Sequence, residues 1–146
     1  LCRDWSSDVC SSDLAAERIT DEELEELERY LLRINESIET KDLTLMVEID
    51  TDFHSQLYRA SRNERLSQVI SNLREQIQRF RKTSLSLPGR MRAALEEHKQ
   101  IVEAISARDS ALARRLAEEH IENAENSLME VIHGGDQVDG QQHGGA

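Results

Sequence analysis

Residues 20–38, TDEELEELERYLLRINESI, decide the fold class. Thr20 followed by Glu23 is a capping-box pattern: the Thr hydroxyl accepts from the backbone N–H three residues on, and the Glu carboxylate reaches back. Leu24, Leu27, Leu31 and Ile34 then recur at three- and four-residue spacing, which places them on one stripe of a helix. The acids between them fall on the other face, and such a charge run reads as a solvated surface. Working outward, the same period predicts a second helix from about residue 42 to 60, with Leu45, Ile49, Phe53 and Leu57 inward. Asn63 can cap a third, over about residues 64–82, carrying Leu66, Val69, Ile70, Leu73, Ile77 and Phe80. Residues 83–87 read as a loop, and Pro88 suits the first turn of a fourth helix that runs to about residue 107 with Leu95, Ile101, Val102 and Ile105 buried. Asp109 caps a fifth that runs to about residue 132. No strand alternation and no repeat interrupts this pattern. The expectation is an all-α antiparallel helical bundle.

Composition agrees and excludes several functions. The 146 residues suit one domain, and one proline with six glycines leaves few helix breakers. Twenty-nine acids against 18 bases give a net charge of -11, a field that repels phosphate backbones and argues against nucleic-acid binding by this chain alone. It also argues against a basic helix lying on a membrane. No apolar run approaches the ~20 residues that span a bilayer, so a cytoplasmic location is expected. Residues 1–14, LCRDWSSDVCSSDL, have no helical period and resemble a translated sequencing adapter, so they are expected to lie outside the fold. Cys2 and Cys10 then say nothing of redox compartment. Without Arg3, Asp4, Asp8 and Asp13 the chain keeps 17 bases and 26 acids, and its charge of -9 is still acidic. The domain is expected over residues 15–132, and the Gly-rich residues 133–146 are expected to be disordered.

Chemistry concentrates in three of the five histidines. His133 and His143 fall in the Gly-rich tail and read as solvated. His98 shares a stripe with Leu95, Ile101, Val102 and Ile105, and His120 one with Leu112, Leu116, Ala124 and Leu128. They stand about ten and twelve residues either side of the turn near Arg108. At ~1.5 Å per residue they therefore lie at about 15 and 18 Å from it, facing each other on antiparallel helices. Asp50 precedes His54 by one helical turn, so both project from one face. A lone inward histidine is more often a hydrogen-bonded core residue than a ligand. Three of them in one small core need partners, and a divalent cation would satisfy all three imidazoles and the carboxylate together.

The order of Asp50-Thr51-Asp52-Phe53-His54, Ala60-Ser61-Arg62-Asn63, Glu97-His98, Ile101, Ala104-Ile105, Asp109, Ala113 and His120 resembles the effector-binding domain of GntR-type transcription regulators of the FadR C-terminal type, FCD. The resemblance covers about residues 15–132. It implies a metal held by Asp50, His54, His98 and His120, with zinc foremost and nickel, manganese or iron as alternatives. It also implies a small carboxylate effector in a pocket above that metal, for which Arg81, ahead of Arg79, is the candidate arginine. Family members carry a winged helix-turn-helix that reads DNA and commonly form homodimers; that domain is expected to be missing here. Ala15-Ala16 resembles the end of the family's opening helix, so that first helix is expected to be largely missing. The function implied is ligand sensing, not catalysis. A metal-dependent enzyme acting on an organic acid would need a general base beside the metal. Glu97 and Glu119 each precede a ligand histidine, but neighbours on a helix diverge by about 100°, so both are expected to point elsewhere. A plain helical interaction module is the third reading.

Overall fold

The computed structural model describes residues 11–139. A helical stretch over residues 11–18, α1, is followed by α2 (Asp21–Glu39), α3 (Leu43–Ala60), α4 (Glu64–Asn72), α5 (Arg74–Leu85), α6 (Arg90–Ser106) and α7 (Ser110–Asp139). Helices α2, α3, α5, α7 and α6 pack side to side in that order and close into a ring, because α6 returns to α2. Helix α4 lies outside the ring against α3 and α5.

The helix ends are chemically specified. At α2 the Glu23 N–H donates to Thr20 Oγ1 while the Thr20 N–H donates to the Glu23 carboxylate, the reciprocal capping box. Asp42, Asn63 and Asp109 each accept from the backbone N–H three residues on, capping α3, α4 and α7. Three connections share one device. Lys41, Arg62 and Arg108 sit at φ 55°, 59° and 57°, each directly before the capping Asp or Asn. After α2 and α6 the bonds Asp42 N–H to Ser37 O and Asp109 N–H to Ala104 O reach five residues back, the Schellman pattern that closes a helix C-terminus. A left-handed conformation costs a non-glycine residue about 1–2 kcal/mol. Arg62 and Arg108 offset it: Arg62 pairs with Glu23, and Arg108 donates to the carbonyls of Ile19 at 2.6 Å and Ala16 at 3.4 Å, stitching α6 to the end of α1.

Two apolar clusters fill the ring. One holds Ala15, Ala16 and Ile19 with Leu27, Phe53, Leu57, Ile101, Ile105, Ala113, Ala117 and Ile121. The other holds Ile34, Met46, Val47, Ile49, Leu85, Ala94 and Leu95. Each fully buried large side chain contributes about 1.5–3 kcal/mol relative to exposure. Along α3 the changeover falls between Ile49 and Phe53, and along α6 between Leu95 and Ile101. Asp50 and His98 occupy those gaps and His54 directly follows Phe53, so the polar residues gather where the two dry clusters meet.

Several expectations need correction. The third helix breaks at Leu73, which ends α4 and starts α5 with φ -99° and ψ 3° and no side-chain cap. The break lets one apolar stripe line two walls, Ile70 and Leu73 on one and Ile77 and Phe80 on the other. Helix α5 then runs to Leu85, through most of the expected loop. Pro88 stands in the turn, and α6 starts at Arg90 after Gly89, whose φ of 82° suits a residue without Cβ. Leu45 is 37% exposed, and Met46 and Val47 are buried in its place. A strict spacing of four drifts about 120° over the twelve residues from 45 to 57, which carries Leu45 off the inward face. Residues 11–14 are helical, with Ser11 and Ser12 buried, and α7 continues to Asp139, past residue 132. His133 is exposed on α7, whereas Cys2, Cys10 and His143 lie outside the described residues. No helix among the described residues is long and apolar enough to cross a membrane.

Candidate metal and ligand site

Helix α3 supplies Asp50 and His54, α6 supplies His98 and α7 supplies His120. A ligand atom from each of the three histidines lies within 4.8 Å of those from the other two. His98 Nε2 and His120 Nε2 are 3.2 Å apart, and Asp50 Oδ1 stands 3.4 Å from His98 Nε2 and 3.7 Å from His54 Nε2. Two nitrogens bound to one zinc at about 2.0–2.1 Å in a tetrahedron are separated by roughly 3.4 Å, so the spacing is that of neighbouring ligands. Sequence spacing had paired all four, and the structure brings all four together.

The surroundings fix these groups. His98 is fully buried, and the Phe53 ring stacks on it at 4.6 Å between centroids. Burial holds the imidazoles of His54 and His98 well below the usual histidine range, aided by the nearby Arg81 charge and by the neighbouring imidazoles. Neutral imidazole is the form that donates a lone pair to a metal. Burial pushes the Asp50 carboxyl up, and Arg81 opposes that shift with its Nε 3.4 Å from Asp50 Oδ2. The other oxygen, Oδ1, is buried, has no hydrogen-bond partner and faces the imidazoles. A buried acceptor left so costs about 1–3 kcal/mol. A cation among the imidazoles would satisfy it, and one carboxylate with three imidazoles is a donor set suited to a first-row divalent ion.

Glu97 corrects the sequence reading. It diverges from His98 as expected, and that divergence carries it across to α7, where its Oε1 accepts from His120 Nδ1 at 2.7 Å. Both its oxygens also accept from Arg90, at 2.7 and 2.8 Å. Partial burial raises the Glu97 carboxyl, but the bonds from Arg90 and His120 outweigh it and hold it at about 2. With Nδ1–H committed to Glu97, His120 turns its Nε2 lone pair toward the other ligands, the orienting role that carboxylates play behind metal-bound histidines. The signal missed was Arg90-x6-Glu97, two turns apart on one face of α6. Glu119 does point elsewhere, pairing with Arg115 at the surface.

Above Asp50, His54 and His120 opens a cavity of about 250 Å³. Ile70, Leu73, Ile77 and Phe80 form its apolar wall, and Arg81 and Arg90 supply positive charge. Helix α4 has an amphipathic pattern yet no buried residue, because its apolar side looks into this space rather than onto the protein. Arg79 is exposed and does not line the cavity: two residues along a helix point about 200° apart.

Residues 11–123 match the FCD domain family. This chain belongs to that family. The FCD domain is also 26% identical over 117 residues to the HTH-type transcriptional repressor RspR of Escherichia coli K12, covering 80% of this chain and 51% of the relative. The same figures hold for the uncharacterized HTH-type transcriptional regulator YdfH of Shigella flexneri. The chain thus spans about half the length of the curated relatives it matches. Among solved structures, E. coli McbR/YncC superposes with a TM-score of 0.76 at 20% identity, covering 86% of this chain and 64% of that one, which shows a shared fold. RspR and YdfH are named as HTH-type transcriptional regulators, not as enzymes.

Proposed function

We propose that this FCD domain is the sensing half of a metabolite-responsive transcription regulator. Asp50, His54, His98 and His120 would hold a divalent transition metal, with zinc favoured by three imidazoles, and a small carboxylate would occupy the cavity beside it. The observation that carries the reading is the buried, unpartnered Asp50 Oδ1 among three imidazoles at the floor of a cavity whose walls bear Arg81 and Arg90. A bound metal supplies positive charge and open coordination positions for an effector carboxylate. Arg81 both steadies Asp50 and presents its guanidinium to the cavity, so effector binding and ligand geometry are joined through one side chain. In the longer protein, differential affinity of the effector for two domain arrangements would alter DNA binding by a winged helix-turn-helix, in a homodimer. The acidic character of this chain fits a domain that stands off the DNA.

Glu97 speaks against the enzyme reading. Its two oxygens are occupied by Arg90 and His120, and a carboxyl held at about 2 is a weak base at neutral pH. The test is a panel of small organic acids added to the zinc-loaded domain while its melting is followed. A carboxylate at a hundredfold excess over its Kd stabilises by about 2.7 kcal/mol. Stabilisation that needs zinc and is lost in Arg81→Met supports the reading. A panel of hydroxy, keto and sugar acids that leaves melting unchanged would contradict it.

A further inference from the structure

A second cavity, of about 140 Å³, adjoins the first. It lies between α3, α4 and α5 and shares Tyr58, Ile70, Ile77 and Arg81 with its neighbour. Its charged lining residues are Arg59, Arg74 and Arg81, and no carboxylate lines it. In a chain where acids outnumber bases 29 to 18, a concave surface bearing only arginines is a selective arrangement. Arg59 makes no ion pair among the described residues, and Arg74 engages Asp52 through one nitrogen at 3.2 Å. Ser55, Ser67 and Ser71 place hydroxyl groups around the same space. Arg81 reaches both cavities while its Nε faces Asp50.

We infer that this second cavity is a subsite for an acid group, carboxylate or phosphate, and that the effector is a two-headed anion. One head would lie by Asp50 and the histidines, and the other would be clamped by Arg59, Arg74 and Arg81. Guanidinium forks match the planar or tetrahedral oxygens of either group. The linker would pass the apolar side chains of Ile70 and Ile77. The placement of the first head rests on the reading proposed above; the arginine subsite does not need the metal.

The test separates the two. Inorganic phosphate is titrated against the full chain, zinc-loaded and chelated, with melting as readout, in wild type and in the Arg59→Gln/Arg74→Gln double variant. Both arginines are exposed at the rim, so the variant is expected to fold, and its melting without phosphate serves as control. The expected result is saturable stabilisation by phosphate in both metal states, weakened at least tenfold in the double variant and restored toward wild type in Arg59→Lys/Arg74→Lys. An equal response in the glutamine variant overturns the subsite. So does a phosphate response seen only with zinc, which would place the anion on the metal and leave the proposed function standing. On the zinc-loaded domain, dicarboxylates of three to six carbons should bind at least tenfold more tightly than monocarboxylates of equal length. That preference should vanish in the double glutamine variant. Equal affinity of the two acid series overturns the two-headed ligand.

Discussion

Glu97→Gln tests whether α6 positions His120 for a metal. The substitution keeps the volume but removes the charge that accepts two Arg90 bonds at 2.7 and 2.8 Å and the His120 bond at 2.7 Å. Holding Glu97 at about 2 instead of 4.5 corresponds to about 3 kcal/mol before solvent screening. The pair stands at the edge of the cavity, and screening reduces this to about 2 kcal/mol. For a fold of this size each kcal/mol moves the melting point by about 3–5 °C, so the chelated variant should melt about 6–10 °C lower. Losing the carboxylate that orients a ligand histidine should weaken zinc binding about 10- to 100-fold. Circular dichroism melts of the chelated proteins and competition against a chromophoric zinc chelator measure the two effects separately. Melting and zinc affinity both unchanged from wild type would refute the orienting role.

The remaining predictions concern pH and the frame. His54 and His98 are held below 6.5 in the fold, so the unfolded chain binds more protons as pH falls through 6.5. The chelated domain should therefore lose stability from about pH 7 downward, and melting independent of pH between 7.5 and 5.5 would contradict neutral burial. The Glu97 contribution is present above 4.5 and is lost as pH falls from 4.5 toward 2; Glu97→Gln should flatten that limb of the stability curve. Lys41→Gly relieves a left-handed lysine and should leave stability unchanged or raise it by about 0.5 kcal/mol. Arg108→Gly relieves the same strain but forfeits the bonds to Ile19 and Ala16, so it should cost about 1 kcal/mol; urea titrations order the pair. Thr20→Ala removes the capping box of α2 and should cost about 1 kcal/mol by the same method.

Thr20, Asn63 and Asp109 were legible as caps because a capping side chain acts within three residues of itself, whereas the start near Asp42 was read from the apolar period and its cap came from the structure. His98 and His120 were legible because helix geometry fixes their faces and their distances from the α6–α7 turn, and Asp50 and His54 because one helical turn separates them; that α3 stands level with the other two came from the family resemblance. The break at Leu73 was not, since no glycine or proline marks it and the apolar period runs through it; the second wall of the cavity decides where the helix bends. The Arg90–Glu97–His120 chain was not legible either. A one-residue offset from His98 identifies a direction but not which helix stands there. The burial of Ser11 and Ser12 was hidden by a stretch with little apolar period, where packing against the bundle rather than local pattern orders the backbone.

The most direct measurement is metal content of the purified chain by elemental analysis, with melting recorded before and after chelation. The expected result is one equivalent of a divalent transition metal, and its removal lowers the melting temperature in wild type but not in His98→Ala. A wild-type chain that carries no metal, and whose melting ignores both chelator and added zinc or nickel, would contradict the four-ligand site.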